Sequence, residues 1–183
     1  MEYLSTGERV GLGPLQRELV PLYTRWVNDP EARDGTGILA VHNDETEAET
    51  VERMTKASAE RTPSEVHFTV HDLADDEPVG TAGLFAINHV HGIATFGILI
   101  GDRRGQGLGT DTTRVVLRWA WERLGLHNVM LTVLAWNETA IAAYRRAGFE
   151  DLGVRRQAVW SRGERTDEVL MQALRPELAL TRR

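Results

Sequence analysis

Ile98-Leu99-Ile100-Gly101-Asp102-Arg103-Arg104-Gly105-Gln106-Gly107-Leu108-Gly109-Thr110 is the stretch on which the fold of this chain turns. A run of branched apolar residues, as expected of a buried strand, feeds a turn with three alternating glycines, and that turn opens a helix. Glycine lets the backbone approach a ligand closely, so successive N–H groups converge on an anion at the positive end of the helix dipole. A pyrophosphate suits such a nest. Arg104 adds a cation, and one charged hydrogen bond of this kind is worth about 1.5–3 kcal/mol. A P-loop needs Lys then Ser or Thr after its last glycine, which Leu108-Gly109-Thr110 does not supply. A dinucleotide fingerprint needs Gly-x-Gly-x-x-Gly and an acidic residue at the end of the next strand; this chain has Gly-x-Gly-x-Gly and ends that strand at Ala135-Trp136-Asn137. A glycine-rich turn without a ligand is the remaining alternative.

Downstream, the pattern predicts a helix from about Gly109 to Leu124, with Val116, Trp119 and Ala120 on one face and Gly125 as its left-handed cap. A continuous apolar strand over 128–134 follows, then a helix capped by Asn137 that carries Ala140, Ile141, Tyr144 and Ala147 inward and ends at Gly148. Two last strands, 155–160 and 165–174, face each other across Ser161-Arg162-Gly163-Glu164. Upstream, strands are predicted at 66–71, 78–88 and 93–100, as an antiparallel meander with turns at Asp75-Asp76-Glu77-Pro78 and His91-Gly92. Arg9 to Leu15 reads as a first strand, and Leu19, Leu22, Tyr23 and Trp26 as a helix that stops at Asn28-Asp29-Pro30. Residues 31–46, rich in Gly, Asp and Thr, read as a loop, and 45–60 as a polar helix. An antiparallel run joined to a strand–helix–strand–helix unit points to an α+β sandwich around one twisted sheet.

The chain has 183 residues, enough for one core that buries about 70% of the unfolded surface. With 42% hydrophobic and 26% charged residues it falls outside the disordered and fibrous classes. The absence of cysteine excludes a disulfide framework, a zinc ribbon and a thiol nucleophile. No basic and apolar leader opens the sequence and no apolar run approaches a bilayer span, so a cytoplasmic protein without a membrane partner is expected. A net charge of -6 argues against nucleic-acid binding and leans toward a cationic small substrate, unless it serves solubility alone. His67-x-x-x-His71 and His89-x-His91 supply no third ligand by spacing, so no metal is expected.

Arg104-Gly105-Gln106-Gly107-Leu108-Gly109 resembles the Gln/Arg-x-x-Gly-x-Gly/Ala signature with which GNAT acetyltransferases bind the pyrophosphate of coenzyme A. The resemblance continues through Val129–Leu134, Asn137-Glu138-Thr139-Ala140, Tyr144-Arg145-Arg146-Ala147-Gly148-Phe149 and Gly163 to Met171, and less clearly Trp26-Val27-Asn28-Asp29-Pro30, so it covers nearly the whole chain. It is similar to the branch of ribosomal-protein N-terminal acetyltransferases and spermidine acetyltransferases, although the Glu of the spermidine pattern is Ala86 here. It implies a single domain over 1–183 with a mixed, mostly antiparallel twisted sheet, helices on both faces and splayed parallel strands at the centre. Within it, 93–149 would form the acetyl-CoA-binding core and 31–60 the acceptor-site segment; a homodimer is allowed.

The implied roles are specific. Arg103, Arg104, Gly105, Gln106, Gly107, Leu108, Gly109 and Thr110 would hold pyrophosphate, while Ile98, Leu99 and Ile100 would lend backbone groups to pantetheine, with the Leu99 N–H as oxyanion donor. Gly97, inside an apolar strand, marks a bulge or a close backbone approach. Tyr144 would be the general acid at the sulfur, against the plain reading of a core tyrosine. Asn137 is a helix cap, a cofactor contact or both, and Arg146 reaches the 3'-phosphate or is a solvated arginine at a helix end. Where many relatives carry a basic Glu this chain has Thr95, leaving water or a neighbour such as His89 or His91 as proton acceptor. The implied activity is acetyl-CoA-dependent acetylation of a primary amine on a small molecule: a polyamine, an antibiotic or a biosynthetic amine. The alternatives are a protein N-terminus as acceptor, or a non-catalytic acyl-CoA-binding module.

Overall fold

The computed structural model describes residues 2–36, 46–58 and 64–176. Eight strands form one sheet: β1 (Ser5–Thr6), β2 (Val10–Gly13), β3 (Val66–Asp72), β4 (Pro78–Asn88), β5 (Ile93–Ile100), β6 (Asn128–Leu134), β7 (Glu150–Ser161) and β8 (Glu164–Leu174). Their order is β1-β2-β3-β4-β5-β6-β8-β7, and β5–β6 is the one parallel pair among the described residues. The helices are α1 (Val20–Asn28), α2 (Pro30–Thr36), α3 (Glu47–Ser58), α4 (Leu108–Arg123) and α5 (Glu138–Ala147). This is the mixed sheet the sequence leads one to expect.

One core unites the inner faces of β2–β6 and β8 with α4 and α5, through residues such as Phe68, Leu84, Phe96, Val116, Leu131 and Met171. Tyr23 and Trp26 of α1 are buried outside that core, where α1 and α2 cross β4, β5 and β6 on the other face. Trp26 lies flat on the strand end: a Cβ on Gly101 would stand 2.1 Å from its ring, so only glycine fits there.

Two sequence expectations need correction. Residues 30–36 are helical rather than loop, because Asp29 caps the helix by accepting from the Ala32 N–H at 2.8 Å and Pro30 supplies the first helical residue. The Asp-Pro-Glu signal is present in the sequence but is masked by the Gly and Thr around it. Gly97 is also no bulge. It pairs in register with Gly83, and the irregularity lies opposite in β4, where Ala86 takes a left-handed φ of 48° between Phe85 and Asn88. What Gly97 permits is close approach, since a Cβ there would meet the Phe85 ring at 2.9 Å.

Asp111, buried in the first turn of α4, accepts from the N–H groups of Arg9 (2.8 Å) and Val10 (3.1 Å), pinning the β1–β2 turn to the helix. Asp111→Ala strands both donors and is expected to cost about 1–3 kcal/mol, read as a lower urea midpoint. An unchanged midpoint would mean that water replaces the carboxylate without loss.

Candidate active site

β5 and β6 pair only from Ile93↔Asn128 to Thr95↔Met130, and beyond that point the two strands diverge. The divergence opens a cleft of about 1120 Å³ floored by Phe96–Ile100 and Thr132–Leu134. Backbone alternation decides which groups face it. The Gly101 N–H donates to the Val79 carbonyl at 2.9 Å, and Thr81 pairs with Leu99. Bonded and non-bonded pairs alternate in an antiparallel ladder, so the peptide groups of Gly97, Leu99 and Gly101 face β4 while those of Phe96, Ile98 and Ile100 face the splay. Gly92 obeys the same parity, its carbonyl accepting from the Asn128 N–H at 3.1 Å. The Leu99 amide is thus directed at β4, and the backbone groups that face the splay are those of Ile98 and the Ile100 N–H, the Ile100 carbonyl accepting from the Arg104 Nε at 2.7 Å.

At the wide end, the glycine loop delivers the first turn of α4. Gly105 and Gly107 have φ values of 77° and 84°, which side chains other than glycine adopt only with strain, and Gly107 is the N-cap residue. Space beside them is open: a Cβ on Gly105 meets nothing within 4 Å, and one on Gly107 meets only the Arg9 Nη1 at 3.6 Å. Arg9, which nothing in the sequence singles out, donates through that nitrogen to the Gln106 carbonyl and stands at the loop because Asp111 holds its backbone. Gly105, Gly107, Leu108, Gly109 and Thr110 line the cleft; Gln106 is exposed on the loop.

The loop arginines are already engaged. Arg103 bonds Asp72 (2.8 Å) and Asp75 (2.7 Å), which stitches the loop to the β3–β4 turn and holds both carboxyls below the usual carboxylate range, that of Asp72 first through the Ala74 N–H. Arg104 donates from Nε to the Ile100 carbonyl at 2.7 Å and pairs with Glu31 (2.9 Å) and Asp29 (3.0 Å). The Asp29 carboxyl is lowered mainly by the Ala32 N–H and then by Arg104. A phosphate at Arg104 therefore competes with two carboxylates.

Asn137 caps α5 by accepting from the Ala140 N–H at 3.2 Å, and it lines the cleft together with Ala140, Tyr144 and Arg146. The Tyr144 ring sits edge-on to Phe96 (6.3 Å) and Phe149 (5.9 Å). Burial pushes its phenol up to about 12, and among the described residues its hydroxyl has no hydrogen-bond partner.

The opposite wall comes from α2, β7 and β8. Glu31, Ala32 and Gly35 of α2 line it, while the parts of the expected acceptor segment at 37–45 and 59–60 lie outside the described residues. Glu168, 8% exposed, faces the same space and pairs with Arg155. Trp136 is fixed by donation from its indole N–H to the Ser161 Oγ at 3.3 Å, and Arg162 lies over its ring. Sequence reasoning missed Glu168, Trp136 and Arg162 because no local pattern marks them. His89 and His91 do not join the site: both are exposed on the β4–β5 turn and outside the cleft lining. Among the described residues no group of three His, Asp or Glu is placed to hold a metal ion, and no helix is long and apolar enough to cross a membrane.

The model of the acetyltransferase (GNAT) domain matches residues 9–150. Spermidine N(1)-acetyltransferase of Escherichia coli (strain K12) is 38% identical over 87 residues, 47% of this chain and 46% of that one. The probable N-acetyltransferase YjcK of Bacillus subtilis (strain 168) is 29% identical over 117 residues, 62% of this chain and 64% of that one. The chain spans about half the length of the curated spermidine acetyltransferases it matches. The crystal structure of spermidine N-acetyltransferase from Vibrio cholerae in complex with CoA and spermine shares the fold, with a TM-score of 0.82 at 24% identity over 90% of this chain and 95% of that chain.

Proposed function

Because this chain belongs to the GNAT acetyltransferase family, we propose that it acetylates a primary amine of a polyamine-type small molecule with acetyl-CoA as donor. The observation that carries the acceptor class is the lining of the cleft: the carboxylates Glu31, Glu138 and Glu168 and the indole of Trp136, a set suited to a chain of ammonium groups. The similarity to spermidine acetyltransferases and the net charge of -6 point the same way.

The cleft fits coenzyme A in two respects: an open, left-handed glycine nest at a helix start, and a splay that leaves strand-edge groups of Ile98 and Ile100 unpaired with β6. When bound, acetyl-CoA supplies an activated acyl group and a thiolate leaving group. The N–H groups of the loop from Gly105 to Thr110 hold the pyrophosphate, Asn137 and Arg146 contact the rest of the cofactor, and Arg104 takes part only by releasing Glu31 or Asp29. Backbone parity favours the Ile98 N–H over that of Leu99 as the donor to the developing oxyanion. The acceptor arrives as an ammonium and must lose a proton. The cleft hydroxyl of Thr132 cannot hold it, which leaves the cleft-lining carboxylates Glu31, Glu138 and Glu168, reached through water. Tyr144 donates to the departing sulfur.

Free-thiol release with spermidine, a linear diamine, a monoamine of equal length and a peptide N-terminus tests this reading. Spermidine is expected to show a kcat/KM at least about tenfold above the monoamine, equivalent to one charged contact. Preference for the peptide would move the acceptor class to protein N-termini. Coenzyme binding without thiol release from any amine would make the chain a binding module.

A further inference from the structure

The side chain of Arg162 occupies a position that a cationic ligand would be expected to take. Arg162 and Gly163 form the β7–β8 turn with φ values of 53° and 82°, the left-handed pair that a tight hairpin requires. That turn brings the guanidinium back over the cleft, where its carbon lies 3.7 Å from the centroid of the Trp136 ring. Its Nε donates to the Asp34 Oδ2 on α2 at 3.2 Å. Three separate segments therefore build one small chamber: an indole face held still by Ser161, a carboxylate from the helix over the splay, and a cation between them. Trp136 and Arg162 line the same cleft as Tyr144 and the glycine loop.

The chemistry of the chamber is that of an ammonium site. An aromatic face attracts a cation through its quadrupole, and a carboxylate adds charge and direction. The present occupant is weakly held, since the side chains of Arg162 and Asp34 are 51% and 46% exposed and an ion pair so open to water stabilises little. A guanidinium on a hairpin tip leaves such a site at low cost.

We propose that Trp136 and Asp34 form a receiving site for a second ammonium of the acceptor, remote from the amine being acetylated, and that Arg162 fills it in the free protein as a built-in competitor. The proposal rests on the polyamine-type reading above and adds the residues that sort acceptors by number of charges. A diamine or triamine that displaces Arg162 gains the indole and the carboxylate; a monoamine, with its one nitrogen at the reaction centre, gains neither.

Arg162→Asn is the informative variant because Asn tolerates the left-handed φ and Asn-Gly suits the turn, so the hairpin survives while the competing cation is lost. Calorimetry with spermidine in the absence of acetyl-CoA is expected to show about threefold to tenfold tighter binding to Arg162→Asn than to the parent. The ratio of monoamine KM to diamine KM should rise by a similar factor, and Arg162→Lys, which restores a cation, should return it toward the parent value. Trp136→Leu should weaken spermidine at least about threefold. If spermidine binds Arg162→Asn no tighter than the parent, whether weakly or strongly, the competitor role is overturned. If that tighter binding is seen but spermidine is not acetylated, the site stands and the polyamine reading of the reaction falls.

Discussion

Tyr144→Phe is expected to fold like the parent, bind acetyl-CoA almost as well and lose at least about tenfold in kcat with little change in KM. The ring is locked between Phe96 and Phe149, and phenylalanine preserves that packing. The hydroxyl has no partner among the described residues, so its removal strands nothing and the melting temperature should stay near the parent's. A general acid typically contributes about a hundredfold to ten-thousandfold. Tyr144 is expected toward or below the lower end, because a phenol held at about 12 is a reluctant donor to a thiolate whose conjugate thiol has a pKa of about 8.5. Its contribution is then a hydrogen bond that strengthens as charge grows on sulfur rather than complete transfer ahead of departure. The raised pKa fixes a sign as well: the protonated phenol is the working form, and desolvation keeps it protonated across the ordinary range. The kcat profile should therefore show no fall on the alkaline side up to about pH 10 that disappears in Tyr144→Phe. Parent-like turnover in that variant would return Tyr144 to the core and leave thiolate departure to water.

Gly109→Glu is expected to weaken coenzyme A at least about tenfold, or 1.4 kcal/mol, while the fold becomes no less stable. Gly109 has an ordinary helical backbone, and a Cβ there meets only the Ile100 Cγ1 at 3.6 Å, so a side chain enters without collision. Replacing glycine inside a helix gains about 0.5–1 kcal/mol, and a carboxylate in the first turn gains about 0.3–1 kcal/mol from the dipole. The same carboxylate spends the positive helix end that the pyrophosphate needs and repels the phosphates directly. Stability and binding thus move in opposite directions, which an unfolding artefact cannot imitate. Gly107 is the poorer test site, because its φ of 84° makes any side chain cost about 1–3 kcal/mol of strain before a ligand is present. Gly109→Ala adds a methyl without charge and should keep most of the affinity. Calorimetry with equal coenzyme A affinity for parent and Gly109→Glu would remove the pyrophosphate from this loop.

How far the sequence reaches is set by the range of the interaction that decides each feature. Gly105 and Gly107 announce a left-handed turn, Asn137 and Gly148 bracket α5, and the alternation over 66–100 marks three strands, because each depends on residues within a turn or two of itself. The position of Tyr144 seven residues beyond Asn137 follows from the same local geometry, which carries it back along the splay. The Asp29 cap of α2 was legible in principle and hidden by composition alone.

Other features needed the assembled sheet. Which strand groups face the splay is a matter of parity against β4, and one register step separates Ile98 from Leu99. The engagement of Arg104 by Asp29 and Glu31 spans more than seventy residues, and the contact of Arg162 with Asp34 spans 128. Local propensity carries no information about such pairs; they exist because α2 and the β7–β8 turn reach the same cleft from different ends of the chain. The sequence by itself determined the left-handed glycine turn at the start of α4, the strand–helix frame and the place of Tyr144 within it. Tertiary structure alone decided which amides and which charges meet across the cleft, because those meetings depend on strand register and helix crossing rather than on any neighbour along the chain.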